Sequence, residues 1–247
     1  MNEPATPSPA RRYRPRLLPT VATVAGIALF VTAGQWQQGR MEQKLALRAK
    51  FDAAVAMAPA TLPESVVDWP AWRYRPVVAE GVFDAARQIL IDNKIEGGRA
   101  GYHVVTPLVL RDGRAVLVDR GWVAAGETRA QLPTAPPQAG GVTVRGRVNI
   151  PTANYFELSR DAPAGVVWEN LDPSRFAART GLSVLPIVVE QTAPTSVTDN
   201  LIRNWPAPDF GIEKHRIYMV QWYLFAATAA GLWMYFNLRR PRKIEAP

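Results

Sequence analysis

The sequence predicts a membrane protein with two transmembrane α-helices flanking a mainly antiparallel β domain outside the cytoplasm, barrel-like or a curved sheet with minor α. Three observations predict it. Two long runs, Leu17–Trp36 and Ile217–Leu238, carry no charged residue. Each ends in a cluster of arginines on the side away from the middle of the chain. Between the runs, short alternating segments are broken by glycine, proline and aspartate, the punctuation of a β-rich fold.

A bilayer core of about 30 Å takes about 20 apolar residues as a helix, and each run is long enough. The stretch between them is too polar and too broken by proline to span, because an inserted backbone must bond to itself. The five expected segments are a cytoplasmic N-terminal segment 1–16, a first span 17–36, an extracytoplasmic domain 37–214, a second span 215–238 and a cytoplasmic tail 239–247.

Orientation follows from the flanks. Arg11, Arg12, Arg14 and Arg16 stand against Glu3, and Arg239, Arg240, Arg242 and Lys243 against Glu245. Each flank is thus +3, leaving +2 of the net +8 for everything between them. The excess of Lys and Arg on cytoplasmic segments puts both termini inside, although Arg40, Lys44, Lys214 and Arg216 lie near the opposite face. The charge sits where topology explains it, so the pI of about 10.1 is no sign of a nucleic-acid partner. The first apolar run exceeds the core of a signal peptide and leads into polar Gln35, Gln37 and Gln38, which favours a retained anchor. The segment before it is short for a mitochondrial transit peptide. The expected location is therefore a bacterial inner (cytoplasmic) membrane, multi-pass, with a periplasmic domain.

Each element of the outer domain has its own signal. Residues Gln37–Met57 are rich in Ala, Lys, Arg, Glu and Leu, and Pro59 ends a helix continuing from the first span. Pro76–Phe83 and Gln88–Asp92 read as strands, with Asp84-Ala85-Ala86 as a hairpin turn between them. Tyr102–Leu110 and Ala115–Val123 form a second pair around Asp112-Gly113, a strong turn signal. In 142–148 valines alternate with Thr143, Arg145 and Arg147, as in a strand with one wet face. Asp172–Thr180 reads as a short helix, with Asp172 able to cap it, Pro173 suited to its first turn and Gly181 able to end it. Leu185–Glu190 is the last strand.

Chemistry is narrowly bounded. The chain has no cysteine and two histidines, His103 and His215. That removes thiol catalysis, disulfides and cysteine-held metals, and leaves too few imidazoles for a zinc centre. Gly97-Gly98-Arg99-Ala100-Gly101 lacks the lysine and hydroxyl residue of a phosphate loop, and a strand follows it, so it reads as a plain loop. His103 opens a strand and reads as a hydrogen-bonded structural residue. Ser159 and Ser196 lack a nucleophile's signature, and Asp119 with Arg120 reads as a strand-end ion network. No enzyme is expected.

His215 differs by its place at the outer end of the second apolar run. Trp222 follows two helical turns later on the same face, with Tyr218 and Met219 flanking the face between them. An imidazole can ligate haem iron, an indole can lie against a porphyrin, and nearby Arg216 or Lys214 can pair with propionates. Equally, His215, Tyr218, Trp222 and Tyr223 can be an interfacial belt. On the residues alone both readings stand. Ala226/Ala230 and Ala227/Gly231 give small-residue spacings for close helix packing, against the first span or another membrane protein.

Several segments together resemble the Surfeit locus protein 1 (Shy1-like) family of cytochrome c oxidase assembly factors. They are Gly34-Gln35-Trp36-Gln37 with Arg40 and Lys44, Gly81-Val82-Phe83-Asp84, Gly101-Tyr102-His103-Val104-Val105-Thr106-Pro107-Leu108, Val116-Leu117-Val118-Asp119-Arg120-Gly121-Trp122-Val123, and Lys214-His215-Arg216-Ile217-Tyr218 with Gln221-Trp222. The order and the two-span plan match over about residues 17–240. Asp119 departs from the pattern, where Asn commonly precedes Arg-Gly-Trp. The resemblance implies an assembly factor for an aa3-type haem-copper oxidase that binds haem a transiently and assists its insertion into subunit I. His215 is then the iron ligand, and Trp222, Tyr218 and Arg216 are further cofactor-binding residues. The expected partners are oxidase subunit I, with haem a synthase, membrane lipid and a second copy of the chain as further candidates, and no nucleic acid. The alternative is a membrane scaffold or chaperone for the oxidase subunits that binds no haem.

Overall fold

The computed structural model describes residues 17–63, 68–128, 130–151, 165–195 and 199–238. The arginine-rich flanks that set the expected orientation, with Ser159 and Ser196, lie outside the described residues. The elements are α1 (Leu17–Val55), β1 (Ala60–Thr61), β2 (Pro76–Phe83), β3 (Ile89–Glu96), β4 (Arg99–Leu110), β5 (Ala115–Ala124), β6 (Gly141–Asn149), β7 (Val167–Trp168), α2 (Pro173–Thr180), β8 (Val184–Gln191) and α3 (Ile212–Leu238). Among the described residues, 17–48 and 209–238 form one compact unit, and those from Ala49 to Pro208 form the other.

In the helical unit α1 runs without a break for 39 residues. Its one proline in that run, Pro19, falls in the first turn, where no intrahelical N–H bond is lost. Thr23 and Thr32 donate their hydroxyls to Pro19 O and Ala28 O, so neither presents an unpaired group along the apolar stretch. Leu17, Leu18, Val21, Val24 and Leu29 are all more than half exposed. Water does not tolerate so long an apolar face, whereas a bilayer does. Among the described residues α1 is the helix long and apolar enough to cross a membrane. α3 is 27 residues long and uncharged from Ile217 onward, but Gln221, Trp222, Tyr223 and Thr228 leave its apolar stretch less apolar than that of α1. It pairs with α1: Trp233 Nε1 donates to Thr20 Oγ1 at 3.1 Å, and Phe30 packs on Trp222 and Phe225.

The second unit is an eight-stranded sheet in the order β1-β2-β6-β8-β5-β4-β3-β7. β4 and β5 pair antiparallel around the Asp112-Gly113 turn, with Gly113 at φ +83°. Gly97 and Gly98, both at positive φ, make the two-residue turn between β3 and β4, the backbone such a hairpin needs. α2 starts and stops as its sequence dictates: the Asp172 carboxylate accepts from Ser174 N and Arg175 N, and Gly181 takes the left-handed conformation.

One expected pairing is overturned. Asp84-Ala85-Ala86 is not a hairpin turn, because β2 and β3 do not pair. β2 lies antiparallel to β6 along most of its length, and a short 3₁₀ turn, Ala85–Arg87, carries the chain to β3. A two-residue hairpin needs positive φ at its centre, which Asp-Ala-Ala does not readily adopt. The sheet is also more mixed than expected, since β1–β2, β3–β7 and β5–β8 are parallel. β2 pairs with β4 as well, through Gly81–Phe83, so the sheet curls on itself. With two-residue strands at both ends it is a curled sheet rather than a clear barrel.

The curl encloses one core, built from Val77, Leu108, Val116, Val118, Val144, Ile187 and Val189 among others. On the opposite face Phe176 of α2 and Trp168 cover Ile89, Ile91, Val105, Leu117 and Val188. Their rings meet at 5.8 Å.

Candidate functional site

The helical unit brings His215 together with a residue 178 positions away. His215 Nδ1 lies 2.7 Å from Oε1 of Gln37, and both side chains are partly withdrawn from solvent. A carboxamide oxygen can only accept, so in this contact Nδ1 is the donating nitrogen and Nε2 is the one turned away from Gln37. This is the arrangement in which an imidazole ligates a metal: one nitrogen held by a hydrogen bond, the other free to coordinate. Among the described residues no three His, Cys, Asp or Glu side chains gather around a bare ion. A single imidazole can hold only an ion that brings its other ligands with it, as porphyrin-bound iron does.

The three expected companions divide by helix face. Trp222 shares the α1-facing side of α3 with His215. It lies nearly parallel to Phe30, ring centroids 5.9 Å apart, and edge-on to Phe225. Tyr218 and Arg216 are turned off that side and exposed. Arg216 is engaged by Glu213 at 2.6 Å. Helical geometry explains the split, since residues one and three positions on are rotated about 100° and 300° from His215 while position seven returns to its face. The helices come close here because Gly34 has no side chain: a Cβ there would sit 2.8 Å from the Tyr223 ring. Tyr223 Oη in turn reaches Gln38 Oε1 at 3.4 Å.

The sheet unit holds a second constellation that its sequence did not advertise. Arg147 on β6, Glu190 on β8, Asp119 on β5 and His103 on β4 form a row across four adjacent strands. Arg147 Nε donates to Glu190 Oε2 at 2.5 Å and Asn149 Nδ2 to Glu190 Oε1 at 2.8 Å. His103 Nδ1 lies 2.7 Å from Asp119 Oδ2, and Trp205 packs edge-on to the imidazole at 5.3 Å. The row floors a cleft of about 400 Å³ walled by Ile95, Leu171 and Trp205. His103 is therefore the hydrogen-bonded residue expected. Asp119 and Arg120, expected in one ion network, face opposite ways: Arg120 is buried near Asp199, with Nη atoms donating to Gln88 Oε1, Ala135 O and Pro136 O. Burial pushes the Arg120 guanidinium pKa down, and the Asp199 charge opposes that shift.

Sequence reasoning missed Gln37 as a site residue, placing it only within a string of glutamines and tryptophan. The available signal was helical: Gly34, Gln37 and Gln38 fall on one face of the helix that reaches the outer end of the first span.

Comparison with known proteins agrees with this framework. The profile of the SURF1 family matches residues 24–227. The human Surfeit locus protein 1 is 27% identical over 222 residues, covering 83% of this chain and 73% of the human protein. The rat protein of that name is 25% identical, covering 84% and 72%. An uncharacterised SURF1-like protein of Mycobacterium bovis is 25% identical, covering 88% of this chain and 82% of its own length.

Proposed function

The chain belongs to the SURF1 family, and from that membership we propose that it is a membrane-anchored assembly factor for an aa3-type haem-copper oxidase, holding haem a in transit to subunit I. SURF1 proteins are a family of cytochrome oxidase assembly factors and not of enzymes. The observation that carries the finer proposal is the His215–Gln37 pair, which leaves one imidazole nitrogen free at the end of an apolar helix. When bound, the haem would supply an iron centre for an imidazole to ligate. His215 would provide that imidazole, and the exposed Arg216 and Lys214 would meet propionates in the aqueous interface. Trp222 and Phe30 offer an aromatic patch one to two turns deeper. Tyr218, exposed on a neighbouring face of α3, would be a further contact for the ring.

The topology that serves this role has α1 and α3 both crossing a bacterial inner membrane, termini in the cytoplasm and the sheet unit in the periplasm. The exposed apolar residues of α3, Ile217, Leu224 and Phe236, support its crossing, as they do for α1. Subunit I as acceptor, haem a synthase as donor and a second copy as neighbour complete the proposal.

Purification from cells making haem a tests it. Wild type is expected to carry haem and His215→Ala to lose most of it; a His215→Ala protein with full, stoichiometric haem sinks the ligand assignment. The engagement of Trp222 by Phe30 favours one competing role, a scaffold whose helices pack on oxidase subunits without haem. That role predicts normal haem content in the oxidase of a His215→Ala strain.

A further inference from the structure

We propose that Gln37 is the positioning residue for His215, fixing the imidazole tautomer and setting its donor strength; this rests on the haem assignment above. Three observations carry it. Gln37 is only 8% exposed, and it is the buried polar side chain of the helical unit among the described residues. Burying an amide is costly unless its hydrogen bonds are made, and the bond it makes is the 2.7 Å contact with His215 Nδ1. Its neighbour Gln38 is occupied otherwise, donating to Glu42 Oε1 at 3.0 Å and lying near Tyr223 Oη. The orienting role therefore falls to one glutamine.

The choice of an amide has a chemical consequence. The chain's other histidine, His103, is backed by the Asp119 carboxylate, an ionic acceptor of the kind that strengthens an imidazole as a ligand. Gln37 is a neutral acceptor. It orients His215 equally well but leaves Nε2 a weaker donor, which suits a ligand that must hold a cargo and then give it up.

The test uses the full chain in lipid nanodiscs with ¹⁵N-labelled histidine. Two histidines make the imidazole spectrum simple, and His103→Gln assigns it. Without haem, His215 is expected as the Nδ1–H tautomer in wild type and Gln37→Glu, and as Nε2–H in Gln37→Met, which has similar volume but no acceptor. Wild-type His215 as Nε2–H, or a tautomer indifferent to Gln37→Met, overturns the role of Gln37 whatever the cargo. Titration with haem a supplies the second readout. Gln37→Met is expected to weaken binding about 10- to 100-fold at unchanged helix content. Gln37→Glu is expected to restore it and to move the haem midpoint potential negative of wild type. Wild-type affinity in Gln37→Met overturns the proposal. A wild-type chain that takes up no haem a overturns the haem assignment and the ligand-tuning role with it, even where the tautomer result stands.

Discussion

His103 and Asp119 face each other across two neighbouring strands, imidazole Nδ1 2.7 Å from carboxylate Oδ2, while the other oxygen of Asp119 accepts from Gly121 N at 3.3 Å. Asp119 is 6% exposed, so its carboxylate is largely withdrawn from water, while His103 keeps an edge on the cleft. Asn, the residue common here in the resembling family, can keep an oxygen toward Gly121 and turn its amide toward His103. Asp119→Asn is therefore expected to cost about 1 kcal/mol or less. Asp119→Leu strands the His103 Nδ1 and the Gly121 N–H and is expected to cost about 2–4 kcal/mol. Thermal unfolding of the two variants in detergent checks this; equal melting temperatures would show that the pair contributes little.

Arg120 anchors the segment 134–138. Its guanidinium donates to Ala135 O, Pro136 O and Gln88 Oε1, and lies 5.6 Å from the Phe83 ring. Arg120→Met leaves those acceptors and the nearly buried Asp199 without that cation, although Arg203 remains paired with Asp199. A loss of about 3–5 kcal/mol is expected. Limited proteolysis is expected to cut first within 134–138, and a variant as protease-resistant as wild type would refute the anchoring role.

The β4–β5 turn carries a pH dependence whose sign is set by Asp112. Arg114 donates to it twice, from Nε at 2.7 Å and from its backbone N at 2.9 Å, and holds the carboxyl pKa below its ordinary value. A depressed carboxyl pKa stabilises the fold above the unfolded value of about 3.9 and loses that contribution as pH falls through the folded value. The pair is near the surface, so the effect is expected to stay under about 1 kcal/mol. Wild type should be more stable than Asp112→Asn at pH 6, the two converging in acid; a gap that widens below pH 4 would contradict this.

The parts of this fold legible in the sequence are those specified locally. Uncharged runs become long helices, and Asp172, Pro173 and Gly181 mark the two ends of α2. What was hidden depends on pairing between distant segments. Nothing local says that β2 lies on β6 rather than on β3, or that β8 runs parallel to β5. The row Arg147–Glu190–Asp119–His103 has no spacing to recognise, because each residue comes from a different strand. At the helical site His215 and Trp222 were legible as a pair through their seven-residue separation, whereas Gln37 became visible only once α1 and α3 were set side by side.

That side-by-side packing turns on Gly34. It precedes Gln37 by about one turn, so both occupy the face of α1 that meets α3. A Cβ at Gly34 would lie 2.8 Å from Cε1 of Tyr223, closer than carbon atoms approach, and the contact is with the ring rather than with a mobile chain end. Gly34→Val must therefore turn Tyr223 aside or part the helices at this level. Either response disturbs the neighbouring Gln37–His215 hydrogen bond, since a shift of about 1 Å carries a 2.7 Å contact beyond hydrogen-bonding range. The far end of the pair, where Trp233 donates to Thr20, lies more than three turns away along α1 and should be spared. Gly34→Val is thus expected to keep its helix content but to lose the Nδ1–H signal of His215, as Gln37→Met does, with Gly34→Ala intermediate. Because the chain has no cysteine, a cysteine pair replacing Thr20 and Trp233 reports the far end cleanly, and its cross-linking should be unchanged. A Gly34→Val chain with the wild-type imidazole spectrum would show that close packing at this glycine does not set the histidine's geometry.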